Sequence, residues 1–235
     1  MSVLTLQLAG PLQAWGASAR FARRTTEHAP TKSGVVGLLA AALGRRRSDD
    51  IADLAALRFG VRVDQRGTLV RDYQTAHHFE NGTSMPVSER FYLADAVFVA
   101  VLEGDGDLID RLHDAVRSPA FLPYLGRRSC PPSRPIELAV HHDQTLDERL
   151  KDEPWRAAAW HQRRNRQPKV TLETIVEGRG GDGRIDTLRD QPLSFDPRHR
   201  RYALRGVLHQ RVEIPAPTTR RAAVDHDPTA VLRGQ

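Results

Sequence analysis

The chain has 235 residues, 40% of them hydrophobic, with a formal net charge of +6 at pH 7 and a sequence pI near 10.1. This length suits one large or two modest globular domains, and no membrane span is expected because the longest apolar run, residues 35–43, is far too short. A single cysteine, Cys130, excludes an intrachain disulfide, and with no secretory leader in view we expect a cytoplasmic protein.

The hydrophobic pattern predicts the order strand, helix, strand, strand, helix, strand over the first 142 residues. Strands are predicted at 3–8, 59–64, 91–102 and 136–140, and helices at 33–43 and 108–116. This is the order of the ferredoxin-like, or split βαβ, fold that RNA-recognition motifs use. We therefore predict an α+β protein whose residues 1–142 form a ferredoxin-like domain.

Residues 65–90 form a long excursion between the second and third predicted strands. Turn sequences within it and strand patterns at its flanks predict a projecting β-hairpin, or thumb. The side chains expected to be available on this thumb belong to Arg62, Arg66, Arg71, His77 and His78.

The composition and the hydrophobic pattern of the sequence change after residue 142. Alternating strand patterns predict a smaller, mostly β domain over residues 143–215, followed by a weakly ordered tail over residues 216–235. For the basic block at residues 156–211 the sequence leaves three possible contacts open: RNA, target DNA or only protein.

The charge is distributed unevenly along the chain. Residues 1–47 carry a net charge of +6, residues 48–153 one of −7 and residues 154–211 one of +7. Two basic blocks around an acidic middle favour a nucleic acid bound on one face. A GC-rich genome, which favours arginine over lysine, would give the same composition, so charge alone does not decide between the two explanations.

The segment 31–33, just before the first predicted helix, resembles a phosphate-binding loop. Backbone N–H groups and a lysine at a helix start attract phosphate oxygens. Thr26 and Thr31 stand where a nucleotide-binding loop needs glycine, so we reject a nucleoside triphosphatase and keep a site for a backbone phosphate at Lys32 and Ser33. The basic loop before this helix adds Arg20, Arg23 and Arg24.

Two further places carry candidate ligand contacts. The loop Tyr124-Leu125-Gly126-Arg127-Arg128-Ser129 offers guanidiniums, a hydroxyl and backbone amides to phosphates, and its alternative is a solvated surface loop. In Gln13-Ala14-Trp15-Gly16 the aromatic ring is either a core residue or a platform on which a base stacks.

The histidine pairs at 77–78 and 141–142 do not predict a metal site. Adjacent residues on a strand point to opposite faces, so a pair supplies at most one ligand, and we expect neither a metal nor a cofactor. A lone histidine beside a basic groove could act as the general base of a metal-independent ribonuclease. We favour a polar or stacking contact for His77 and His78.

Four segments together resemble one protein family. They are Leu8–Gly16, Arg20–Thr26, Pro30–Arg45 and Tyr124–Pro131. These segments are similar to the CasD family, subunits of the type I-E CRISPR surveillance complex Cascade. The resemblance runs through residue 142, and the region after Asp143 carries the least distinctive sequence.

The resemblance implies a repeat-associated RNA-binding fold with a thumb, bound to the 5′ handle of the CRISPR RNA. The resemblance implies two protein partners: the backbone subunit CasC, whose filament the protein would cap, and the large subunit CasA. It also implies that target DNA lies nearby and that no membrane is involved. A related branch in type I-C systems cuts the precursor RNA, so the alternatives to a non-catalytic RNA-binding subunit are a metal-independent endoribonuclease and a purely structural scaffold. The residues expected to contact RNA are Gln13, Trp15, Arg20, Arg23, Arg24, Lys32, Ser33, Arg62, Arg71, His77, His78, Tyr124, Arg127, Arg128 and Ser129.

Overall fold

The computed structural model describes residues 1–16, 23–178 and 185–217. The described strands are β1 Ser2–Ala9, β2 Leu12–Gln13, β3 Arg23–Arg24, β4 Arg58–Gln65, β5 Thr68–Gln74, β6 Ser88–Ala94, β7 Val97–Gly104, β8 Glu137–His142, β9 Lys169–Glu177, β10 Asp186–Ser194 and β11 Arg201–Pro215. The described helices are α1 Lys32–Ala42, α2 Ala52–Ala55, α3 Gly106–Arg117, α4 Leu146–Asp152 and α5 Ala159–Gln162. None of these helices is long and apolar enough to cross a bilayer.

Seven strands form one antiparallel sheet in the order β10-β11-β9-β4-β7-β1-β8. Strand β1, between β7 and the edge strand β8, is buried along its whole length, because both faces of the sheet are covered there. Helices α1 and α3 pack on one face with the main apolar core, and α4 packs on the other against Val3, Val99 and Val101. The mixed α/β prediction and both main predicted helices are confirmed.

The predicted central strand 91–102 is two strands in the structure. Asp95 has a φ of 56° and its backbone N–H donates to the carbonyl of Pro11, so the chain turns between β6 and β7. Strand β6 instead pairs with β5 in a hairpin, and its other edge pairs with β2 and β3 to form a second, four-stranded sheet. The second strand of the predicted thumb is therefore β6, most of which the sequence pattern assigned to the main sheet.

The region after residue 142 lengthens the main sheet. Strand β9 pairs with β4, and β11 and β10 continue outward from it, so the expected boundary at 142 does not separate two sheets. Part of this region keeps an apolar cluster of its own, formed by Trp155, Leu172, Val212 and Ile214 with smaller residues. An alternating pattern of apolar and polar residues predicts that a segment is a strand, but it does not predict which other strand that segment pairs with.

A buried ion pair in β4 fastens the segment after α4 to the sheet. The Arg62 guanidinium, which is fully buried, donates to both carboxylate oxygens of Asp64 at 2.7 and 3.0 Å and to the backbone carbonyls of residues 150, 153 and 154. This corrects the prediction that Arg62 contacts RNA. Its strand position points the side chain under α4, and none of its surface is exposed to solvent.

We predict that Arg62→Ala lowers the free energy of unfolding by about 3–5 kcal/mol, because it leaves the Asp64 carboxylate buried without its partner. Urea unfolding followed by circular dichroism measures the change. The matched control is Arg66→Ala, since Arg66 is 79% exposed and its ion pair with Glu173 lies at the surface. That control should cost about 1 kcal/mol or less, and equal losses in the two variants would contradict the assignment.

Candidate nucleic-acid interface

A groove of about 1740 Å³ lies between the amino-terminal segment, α1, the loop 121–131 and the β10–β11 hairpin. Its described lining contains nine arginines and one carboxylate, that of Glu27. The arginines are Arg24, Arg45, Arg46, Arg47, Arg127, Arg128, Arg189, Arg200 and Arg201. A concave surface with this excess of one charge concentrates the potential and attracts a polyanion. We call it the basic groove.

Two walls of the basic groove come from parts of the chain that are far apart in sequence. The run Arg45–Arg47 follows α1, whereas Arg201 is the first residue of β11 and Arg200 directly precedes it. Arg45 donates to both carboxylate oxygens of Asp53 at 2.5 Å, and this ion pair holds the pKa of Asp53 below its usual value. The charge of Arg45 is therefore partly neutralised within the protein.

The start of helix α1 is already occupied by a carboxylate of the chain itself. The backbone N–H of Lys32 donates to Asp190 Oδ2 at 2.7 Å, and Arg205 donates to both oxygens of Asp190 at 2.8 Å. The Lys32 ammonium is buried against Glu177, whose two oxygens lie at 3.0 and 3.2 Å. Burial lowers the pKa of Lys32, and Glu177 opposes that shift.

This internal carboxylate corrects the phosphate site predicted at Lys32 and Ser33. A helix start attracts an anion whatever its source, and here Asp190 supplies it. Both Lys32 and Ser33 are buried, although Ser33 still borders the basic groove. The contact also joins α1 to β10, which brings Arg189 and the β11 arginines across from the first basic block.

Gln13 and Trp15 form a buried unit at the groove floor, where Trp15 belongs to the lining. The Trp15 indole N–H donates to the Gln13 side-chain oxygen at 3.1 Å, and the Gln13 amide donates to the carbonyls of Leu8 and Ala96. A Cβ on Gly34 would lie 2.8 Å from the Trp15 ring, so glycine lets α1 pack directly against it. The predicted side-chain contacts with RNA are corrected at both positions, because neither side chain reaches solvent.

Arg127 holds the groove wall together. Its guanidinium donates to the backbone carbonyls of Phe91 at 3.0 Å, Arg24 at 2.8 Å and Thr25 at 3.4 Å, and it lies 4.7 Å from the centre of the Tyr92 ring. One side chain thus connects β6 of the hairpin, the basic loop and the loop 121–131. Because the guanidinium stays charged while it does so, Arg127 also contributes to the field of the groove.

The loop after residue 123 is pressed onto the amino-terminal segment. Gly126 has a φ of 86°, and a Cβ there would lie 1.7 Å from the Ala14 carbonyl oxygen, so only glycine fits. Tyr124 and Arg128 line the basic groove, as does Arg24 from the facing loop. Ser129 is exposed next to buried Cys130 and is absent from the described groove lining.

The remaining predicted residues lie on or near the β5–β6 hairpin. Arg23 lies 5.4 Å from the Phe91 ring centre, and Arg71 lies 5.0 Å from that of Tyr73. His77 Nδ1 is 3.3 Å from the Ser84 hydroxyl, and His78 is exposed in the same turn. These four residues do not belong to the described lining of the groove. The predicted contact at Arg20 falls outside the described residues.

Six arginines of the basic groove were missing from the expected contacts. They are Arg45, Arg46, Arg47, Arg189, Arg200 and Arg201. The three consecutive arginines after the first helix were a visible signal, whereas the other three could be added only once β10 was known to pack against α1.

Comparison with known proteins identifies the family. A family model described as CRISPR-associated protein Cas5 matches residues 3–208. The chain is 39% identical over 160 residues to the Escherichia coli K12 protein named CRISPR system Cascade subunit CasD. The aligned region covers 59% of this chain and 71% of that protein.

Two solved structures agree with this assignment. One, described as the crystal structure of a Cas protein, has 39% identity and a TM-score of 0.69 over 91% of this chain and 95% of that chain. A second, from a CRISPR RNA-guided surveillance complex, has 32% identity and a TM-score of 0.75 over 91% of both chains. The chain therefore belongs to the Cas5 family of CRISPR-associated proteins.

Proposed function

We propose that this protein is the guide-RNA-binding subunit of a type I-E CRISPR surveillance complex and that its basic groove holds the 5′ handle of the CRISPR RNA. The observation that carries the proposal is the described part of the groove lining, which contains nine arginines and one carboxylate. The names of its relatives, a Cascade subunit and a chain of an RNA-guided surveillance complex, support the same assignment.

The chain order of the main sheet supports an RNA-binding fold. Strands β8, β1, β7 and β4 are successive neighbours, α1 follows β1, and α3 links β7 to the segment before β8. This is the element order of the ferredoxin-like fold that RNA-recognition motifs share. On that frame the β5–β6 hairpin, whose residues 73–87 are all exposed, would serve as the thumb over the bound RNA.

The groove offers both kinds of contact that a single RNA strand needs. Guanidiniums on facing walls would donate to phosphate oxygens and hold the backbone in register. The half-exposed ring of Phe121 and the ring of Tyr124 line the same space and would stack against unpaired bases. The expected result is a bound strand whose bases are splayed apart.

The proposed role is one of binding and assembly, without catalysis. The subunit would cap the CasC filament next to the large subunit CasA, in the cytoplasm and with target DNA nearby. Its thumb would fold over the RNA and displace a nucleotide near the junction of handle and spacer. These partners follow from the family, and the groove contributes the RNA-binding surface.

We predict that the triple change Arg46→Gln, Arg200→Gln, Arg201→Gln weakens binding of handle RNA and makes it less salt-dependent. The slope of log affinity against log salt should fall by about 2, because each lost contact between arginine and a single-strand phosphate removes about 0.7. Fluorescence anisotropy of labelled handle RNA between about 50 and 200 mM salt measures both quantities.

The matched control for this experiment is Arg111→Gln, Arg117→Gln, Arg134→Gln, which removes the same charge from exposed positions outside the groove. It should leave the slope unchanged, and equal effects of the two triples would contradict a specific groove. Labelled repeat RNA incubated with the unchanged protein without metal should stay intact, whereas cleavage would favour the endoribonuclease alternative.

We predict that Arg127→Lys weakens handle binding although it preserves the charge. A lysine cannot reproduce the three backbone contacts and the stacking on Tyr92, so the basic loop and β6 would lose their common anchor. The same titration should show a loss of about tenfold, equivalent to one good charge-assisted contact. Arg128→Lys, on the exposed neighbour, should bind within about twofold of the unchanged protein, and the reverse ranking would contradict the anchoring role.

A further inference from the structure

A second cationic surface with an exposed aromatic ring lies at residues 160–166. The Trp160 side chain is 43% exposed, and the Arg164 guanidinium lies 5.0 Å from its ring centre. Arg163 and Arg166 are exposed on either side of Arg164. We call residues 160–166 the tryptophan-arginine patch.

The arginines of this patch differ from the cations next to them. Arg156 pairs with Glu153 at 2.6 Å, and Lys169 pairs with Glu213 at 3.5 Å. By contrast, Arg163, Arg164 and Arg166 form no ion pair with any carboxylate that the structure describes. Three adjacent guanidiniums are therefore left with their full charge for an external anion.

Hydrogen bonds and ring contacts attach the patch to the main sheet. The Trp155 indole N–H donates to the carbonyl of Asp64 at 2.8 Å, and the Gln162 side chain donates to the carbonyls of Trp155 and Ala157. The His161 ring contacts the rings of Trp155 and Trp160 edge-on, with centroids 5.8 and 5.5 Å apart. Because these contacts fix α5 on the sheet, Trp160 is held at the surface before any ligand arrives.

The patch is separate from the basic groove. None of its residues belongs to the described groove lining, and Trp155 beneath it packs with Val212 and Ile214 near the end of β11. The groove arginine Arg201 lies at the other end of that strand. Fifteen residues of extended strand span roughly 45 Å at about 3.3 Å per residue, so one short bound segment does not touch both.

The chemistry of the patch selects among anions. An indole with a guanidinium stacked on it offers a flat layer on which an unpaired base can continue the stack, while the flanking guanidiniums reach phosphates. Duplex nucleic acid hides its base faces, and an acidic peptide would leave the ring without a partner. We propose that the tryptophan-arginine patch is a second binding site for single-stranded nucleic acid, independent of the groove.

Tryptophan fluorescence tests this proposal on the purified full-length chain. Of the three tryptophans, Trp160 is the exposed one, whereas Trp15, at the groove, and Trp155 are 0% and 6% exposed. The part of the response that Trp160→Phe removes therefore reports the patch. Oligo-U and oligo-dT of about 6 nucleotides, too short to span both sites, should each quench the emission and protect it from acrylamide, and their ratio shows whether RNA or DNA is preferred. Trp160→Phe should abolish the response.

Two variants separate the patch from the groove. Arg163→Gln, Arg164→Gln, Arg166→Gln should weaken the quenching affinity about tenfold or more at low salt, while handle RNA still binds the groove as measured by anisotropy. The groove triple at Arg46, Arg200 and Arg201 should leave the quenching curve unchanged. Failure of the proposed groove function would therefore show in the anisotropy and not in the fluorescence.

Three results would overturn the proposal. One is an unchanged Trp160 signal in the presence of saturating oligo-U and oligo-dT. Another is equal quenching by a duplex of the same length, which would exclude stacking on an open base. The third is protection by polyglutamate without protection by either oligonucleotide, which would assign the patch to an acidic protein surface.

Discussion

The fold and the groove both depend on the Asp190 carboxylate at the start of α1. It accepts the backbone N–H of Lys32 and two N–H groups of Arg205, while the Lys32 side chain is buried against Glu177. An anion at a helix start is favourable, and burial in a low dielectric makes the loss of any one partner costly. This network joins the first helix to the last strands, and it thereby closes the groove on its second side.

The same network explains why a basic loop and a basic carboxyl-terminal block form one surface. The first block alone offers Arg24 and Arg45–Arg47, and the walls completed by β10 and β11 add Arg189, Arg200 and Arg201. Of the acidic residues in the middle segment, Glu103 pairs with Arg58 outside the groove, whereas Asp53 pairs with the groove residue Arg45. Arginines that are dispersed along the sequence become concentrated in the groove, while Asp190 and Glu177 form their ion pairs with Arg205 and Lys32 inside the protein.

Sequence patterns predicted helices α1 and α3 and three of the four expected strands of the amino-terminal region within a few residues, because periodicity is local. The short helix α2 was not predicted. They missed the turn at Asp95, where one left-handed residue divides an apolar run into two strands of different sheets. At the candidate site, residue type was informative but burial was not. Gln13, Lys32 and Arg62 are all polar or charged, yet each is satisfied by partners distant in sequence, which periodicity cannot reveal.

The central claim is that guide RNA lies in the basic groove. Photo-crosslinking of the assembled complex to its guide RNA, with crosslinked residues mapped by mass spectrometry, tests it most directly. The structure predicts crosslinks from the 5′ handle to groove residues such as Phe121, Tyr124 and Arg201. Handle crosslinks found only outside the groove lining, with none on these walls, would contradict it.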